Sequence, residues 1–378
     1  MIKNGCLLRV KSNRIFRLAV NSSHLASCTE LNSQVRWRNR GVRDHSTSSN
    51  HDQIKSDHAH CVELVEKRDH HGYLCGLLMP AKESHAYFAL RAWNVEIASI
   101  KDSIDPRRIE SSVNSTAFNP GQIRLQWWRD AIDDVYNEIA IPNHFERLNA
   151  AALHQPVMRS VSRAIRNHGW TRRYLERILD ARENDMQVSQ HSTVQDLVDY
   201  SEDTYSSLIY LSLETAQVEE ELSYQVASHV GVATGIVTAL RSTAPLASRR
   251  GELSIPNEIM RKHSLRSTYL LKPPARPAIL HPDQVPLDER ESYEALRGSV
   301  AELATVARAH LNEARNLQHH VPSPGRAACF LPAVPVLHYL ERLERCHYDV
   351  LHPDINVREK TPLRLPLLLL RTWLTGHF

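Results

Sequence analysis

Apolar residues in this chain recur every three to four positions through most of its length, and the strict alternation of a half-buried strand is almost absent. Val226, Val230, Ala233, Val237 and Leu240, preceded by Leu222, make one such stripe. Leu296, Val300, Leu303, Ala307, Leu311 and Ala314 make another, and Ile123, Trp127, Ala131 and Val135 a third, with Pro120 and Gly121 at its expected start. With only 12 glycines, and prolines gathered between the periodic segments, a sheet-based fold has little room. The expectation is an all-α domain. The run Lys272 to Leu287, carrying Pro273, Pro274, Pro277, Pro282 and Pro286, reads as its clearest loop. There is no internal repeat.

The first residues differ from the rest. Between Met1 and Cys28 there is no acid, and Lys3, Arg9, Lys11, Arg14 and Arg17 alternate with Leu7, Leu8, Val10, Ile15, Phe16, Leu18 and Val20. That composition is that of a mitochondrial presequence, and it lacks the unbroken apolar core of a secretory signal. A plain basic tail is the other reading. The polar run Arg36 to His60 reads as a linker, so residues 1–50 are expected to be presequence and linker, and 61–378 a single helical domain.

Composition removes several functions. A net charge of +3 on 378 residues, concentrated at the N-terminus, gives a nucleic-acid partner nothing to hold. Cys6, Cys28, Cys61, Cys75, Cys329 and Cys346 are scattered, without a CxxC pair, which indicates neither a disulfide framework nor a zinc module and fits a reducing compartment. The longest apolar run, Leu365 to Leu370, is far below the roughly 20 residues of a spanning helix. No nucleotide-binding glycine loop, serine-hydrolase elbow or HExxH pair is present.

Two acidic clusters could hold a divalent ion. Asp130 and Asp134 stand at i and i+4, where both carboxylates can reach one hydrated cation. However, Trp127, Ala131 and Val135 claim the buried stripe of that helix, which turns Asp133 and Asp130 toward solvent. The run Asp180 to Met186 mixes Arg182 with Glu183 and Asp185, and charge pairing on an exposed helix surface explains it. The paired histidines His58/His60, His70/His71 and His319/His320 sit in polar stretches and are read as solvent or structural groups.

Longer strings carry a resemblance. AYFALRAWNVEIASIKDSI, GQIRLQWWRDAIDDVY, DLVDYSEDTYSSLIYLSLE and GVATGIVTALRSTAPLASRRGELSIP together resemble the squalene/phytoene synthase family, from about Cys61 nearly to the C-terminus. The resemblance implies an isoprenoid-synthase-type helical bundle with a central cavity. It matches Tyr200, Arg249, Arg250 and Gly251 to positions that the synthases share. It also places two aspartate sets that bind magnesium. The first falls on Ala98, Ser99, Ile100, Lys101 and Asp102, where one carboxylate survives; the second falls on Ser242 and Leu246, with Pro245 between them.

Those departures imply a pseudoenzyme, with no catalytic residue, metal or cofactor assigned. The combination of NVEIA, IRLQWWRD, YSSLIYL and a presequence resembles a mitochondrial branch of the family whose members act in assembly of respiratory complex I. That likeness implies complex I subunits or assembly intermediates as partners, and a peripheral place on the matrix side of the inner membrane. An active magnesium-dependent prenyl synthase and an isoprenoid- or lipid-binding module remain as alternatives. The tail from Pro362 to Leu374 is read as the last core helix of the bundle, the alternative being a helix lying in a membrane interface.

Overall fold

A computed structural model describes residues 45–104, 120–140, 154–273, 283, 285–356 and 363–378. The expected presequence, the first part of the expected linker and most of the proline-rich run lie outside the described residues. In chain order the helices are α1 (His45–Arg68), α2 (His70–Gly76), α3 (Ala81–Asp102), α4 (Pro120–Ala140), α5 (Pro156–His168), α6 (Arg172–Asp185), α7 (Val194–Ser201), α8 (Ser207–Thr215), α9 (Glu221–Arg250), α10 (Asn257–Lys262), α11 (Ser267–Leu271), α12 (Arg290–Leu317), α13 (Ser323–Phe330), α14 (Ala333–Arg345), α15 (Pro353–Asn356) and α16 (Arg364–Thr375). Among the described residues there is no strand.

Local chemistry sets the helix ends. At α5, Pro156 occupies the first turn, the Gln155 side chain accepts from the Met158 N–H, and Gly169 closes the helix at φ +67°. Thr193 and Asp196 form a capping box at α7. Asp69 caps α2 and also pairs with Arg91, tying α2 to α3.

The long helices α9 and α12 pack along each other. All the residues of the α12 stripe, Leu296 through Ala314, are fully buried, as are Val226, Val230, Ala233, Val237 and Leu240 of α9. Helix α9 is long and apolar enough to cross a bilayer, contrary to the limit read from Leu365 to Leu370, but more than half of its most apolar window is buried in the bundle. It is a core helix.

Two expectations change. The α4 stripe is rotated: Leu125, Trp128, Ala131, Ile132 and Val135 are buried, whereas Ile123 is 55% exposed. The sequence offers apolar residues on two adjacent sides of this helix, and packing against α3, α5 and α6 selects one. The expected linker is helical from His45 onward, because α1 packs on α3 and α5. Its anchor is polar. Asp57, 1% exposed, accepts from Arg159 and Arg163 of α5.

Between α7 and α8 the helix passes through a π turn, Glu202–Ser206. That turn lies against α9 where Gly231 and Gly235 leave no side chain: a β-carbon would fall 2.2 Å from Ser206 Oγ at the first and 2.1 Å from Ser201 Oγ at the second. The two glycines therefore permit a close helix crossing that any larger residue would prevent.

Candidate functional site

The end of α3, the end of α6, the π-turned helix α7 and the second half of α9 enclose a cavity of about 280 Å³. Helix α3 contributes Asn94, Ile97, Ala98, Lys101 and Asp102, and α9 contributes Thr238, Ala239, Ser242 and Leu246. Both segments that the sequence matched to aspartate sets thus meet at one cavity, joined by Tyr200 and Tyr205 from the π-turned segment. Ser99 turns away and donates to the Val95 carbonyl at 2.6 Å.

Lys101 defines the chemistry of the site. Its Nζ donates to the carbonyls of Asp185 and Val188, each at 2.8 Å, and lies 3.3 Å from Asp185 Oδ2 and 3.3 Å from Glu252 Oε2. Four oxygens from two segments therefore surround one ammonium whose side chain is only 16% exposed. The Asp185 carbonyl lies at the C-terminal end of α6, where the helix dipole also favours a cation. This shell is hard, acidic and oxygen-only, as a magnesium or calcium ion requires, and the protein fills it with its own side chain.

The second cation of the cavity is Arg182. It donates to the Tyr200 phenol, reaches Asn94 Oδ1 at 3.4 Å and lies over the rings of Tyr200 and Tyr205. Burial, only partly offset by this guanidinium, pushes the Tyr200 phenol well above its usual range, so the group is a neutral hydrogen-bonding partner. Burial also holds the nearby His191 imidazole below its ordinary value.

The segment Arg249 to Gly251 has structural work. Arg250 donates to the carbonyls of Lys101 at 2.9 Å and Ile104 at 3.1 Å, and to Glu252 Oε1 at 2.9 Å, so it caps the end of α3 and holds the carboxylate that faces Lys101. Gly251, at φ +69°, supplies the left-handed turn that ends α9. Arg249 is exposed.

The run Asp180 to Met186 corrects the expectation made for it. Asp180 and Glu183 do pair on the outside, with Arg129 of α4, but Arg182 and Asp185 point inward and line the cavity. A helical run with two faces was read as having one. Asp130 is exposed and accepts from Gln126, and Asp133 pairs with Arg172. Glu252 was missed as a site residue, and Asp185 was considered as a metal ligand only within its acidic cluster and set aside in favour of surface charge pairing. For Glu252 the one available signal was its place directly after Arg249, Arg250 and Gly251; for Asp185 it was the acidic cluster, and only the fold brings it to α3.

Residues 65–364 match the squalene/phytoene synthase family. The chain is similar to NADH dehydrogenase (ubiquinone) complex I, assembly factor 6, of Rattus norvegicus, at 33% identity over 85% of this chain and 83% of that protein. The Homo sapiens protein of the same name is 33% identical over 84% of this chain and 82% of its own length. Among solved structures a dehydrosqualene synthase in complex with ligand superposes with a TM-score of 0.59 at 18% identity, covering 86% of this chain and 99% of that one, which is a likeness of fold. The chain belongs to the squalene/phytoene synthase family.

Proposed function

We propose that this family member is a non-catalytic mitochondrial protein acting in the assembly of respiratory complex I. In this reading the basic segment within residues 1–44 directs import, residues 45–378 form the working domain, and the protein serves on the matrix side of the inner membrane. Similarity over most of both chains to proteins named for complex I assembly supports the role.

The observation that carries the non-catalytic part is the position of Lys101. A prenyl-transfer enzyme needs magnesium to neutralise a departing diphosphate. Here the segment matched to the first aspartate set offers one carboxylate, Asp102, and the second offers Ser242 and Leu246. Of the three acids that line the cavity, Asp102, Asp185 and Glu252, the last two are already engaged, Asp185 by the Lys101 ammonium and Glu252 by Lys101 and Arg250. A divalent ion entering would meet a resident positive charge. A diphosphate would arrive with no carboxylate-bound metal to receive its charge.

The alternative of an isoprenoid or lipid carrier is not favoured by the cavity. At about 280 Å³ it stands at the small end of the size usual for ligand pockets, and the charged groups Lys101, Asp102, Arg182, Asp185 and Glu252 interrupt its apolar lining.

Two experiments test the proposal. Calorimetry of the full chain with a non-hydrolysable farnesyl diphosphate analogue should give no magnesium-dependent binding; tight binding that requires magnesium would overturn the non-catalytic reading. Expression in cells lacking their own complex I assembly factor 6 should restore mature complex I, and unchanged deficiency with a well-expressed, imported protein would overturn the assembly role.

A further inference from the structure

Helix α16 is apolar on two opposite faces. Leu365, Leu369 and Thr372 are buried where the helix packs on α14, α13 and α2. On the other side stand Leu363, Leu367 and Leu374, the last two 63% and 68% exposed, with half-buried Leu370 completing the row. Their spacing of four, three and four residues places all of them on one line along the helix. Exposed Trp373 borders this line on one side, and Arg364 and Arg371 border it on the other.

Other exposed large apolar residues among the described ones, Ile123 and Ile139 on α4 and Leu287 at the end of the proline-rich loop, do not form such a row. A contiguous apolar patch of this kind marks an interaction surface.

We infer that this outer face of α16 docks the protein on an anionic membrane surface. The leucine row would enter the boundary between headgroups and acyl chains, Trp373 would sit at headgroup level, and the arginines would meet lipid phosphates. The inference rests on the proposed inner-membrane location and names the surface that serves it.

Charge decides for a bilayer over a protein groove. Helix α16 contains no acidic residue. Arg371 makes no ion pair among the described residues, while Arg364 shares Glu341 at 2.9 Å with both side chains substantially exposed. At about 1.5 Å per residue, the 12 residues of α16 extend about 18 Å, too short for a hydrocarbon core of about 30 Å. Because its other face is packed on the bundle, the helix lies along the surface it meets. The sequence left packed core and membrane interface as alternatives; one helix supplies both faces.

Flotation of the full chain with phosphatidylcholine vesicles, with and without phosphatidylglycerol, tests the inference. The basic N-terminal segment is common to every form, so differences between forms report on α16. Binding to the anionic vesicles should fall about tenfold in the Leu367→Glu/Leu374→Glu double variant, and Arg371→Glu should weaken the preference for phosphatidylglycerol. An unchanged thermal midpoint would show that the double variant is folded, as the exposure of both leucines implies. Equal flotation of wild type and folded double variant would overturn the inference. So would a double variant that floats normally but no longer co-purifies with a complex I intermediate, since the face would then bind protein. Failure of the wild type to restore complex I would count against the proposed function instead, whatever the flotation result.

Discussion

Lys101→Met removes the ammonium while keeping a side chain of similar length, and it takes away the cation between Asp185 and Glu252, leaving Glu252 with Arg250 alone. Each carboxylate lies 3.3 Å from Nζ, which at an effective dielectric constant near 20 corresponds to about 5 kcal/mol of gross attraction per pair. Desolvation cancels much of this, and breaking a largely buried pair costs about 3 to 5 kcal/mol in measured cases. With these side chains 13% to 19% exposed, the low end of that range, about 3 kcal/mol, is the appropriate figure. An unfolding entropy of about 2.1 cal/mol/K per residue, over about 300 residues, converts it to a fall of about 4 to 5 °C in Tm by scanning calorimetry. Lys101→Ala should lose at least as much and open the oxygen shell. Manganese or calcium at ten times a Kd of about 1 mM would then return about 1.4 kcal/mol, or about 2 °C. Wild type should show no such gain. A loss below 1 °C in Lys101→Met, or an equal divalent shift in wild type and Lys101→Ala, would refute the claim that this ammonium occupies a cation position.

Asp57→Ala should cost about 3 kcal/mol in urea unfolding, because it leaves Arg159 and Arg163 facing a site from which their buried partner is gone. Gly231→Ala should cost at least about 1 to 3 kcal/mol, since the new β-carbon would lie 2.4 Å from the Ser206 Cα and 2.5 Å from its nitrogen, which no side-chain rotation relieves. Acid should destabilise the fold in two stages. Burial holds His58 down to about 4, His71 to about 3 and His338 to about 4, against an ordinary 6.5, so the folded state binds fewer protons than the unfolded one and stability should fall as pH drops from 6.5 toward 4. Burial alone would raise Asp57, but Arg159, Arg163 and Gln53 outweigh it and hold the carboxyl below its ordinary 3.8, so its contribution is present above that pH and is lost as pH falls further. Urea midpoints measured across this range check both stages; a flat profile between pH 6.5 and 4 would contradict the first.

The stripes of α9 and α12 could be read directly, because each of those helices presents one clear apolar line to its neighbour. The α4 sequence could not be oriented in this way: Ile123, Leu125, Trp127, Trp128, Ala131 and Ile132 fit two overlapping lines, and only the neighbouring helices decide between them. The first half of α1 was hidden for a different reason. It is polar, and what fixes it is Asp57 meeting two arginines 102 and 106 residues away. The cavity divides along the same line. Ala98, Ser242, Leu246 and Tyr200 were found because their segments resemble a family with a known arrangement. Asp185 and Arg182 lie in a segment where local charge pairing was a sufficient explanation, Glu252 was not singled out, and their meeting with Lys101 and Tyr200 is a property of the assembled bundle.

The π turn at Glu202–Ser206 takes up one residue more than an α turn, because its hydrogen bonds run from i to i+5. Removing one residue there would restore a regular helix whose two flanks keep their directions, so Tyr200 would still face Arg182. What would go is the width of the turn, and with it the seat of Ser206 against Gly231. A single-codon deletion in this segment would therefore act locally, sparing the cavity wall and loosening the crossing on α9.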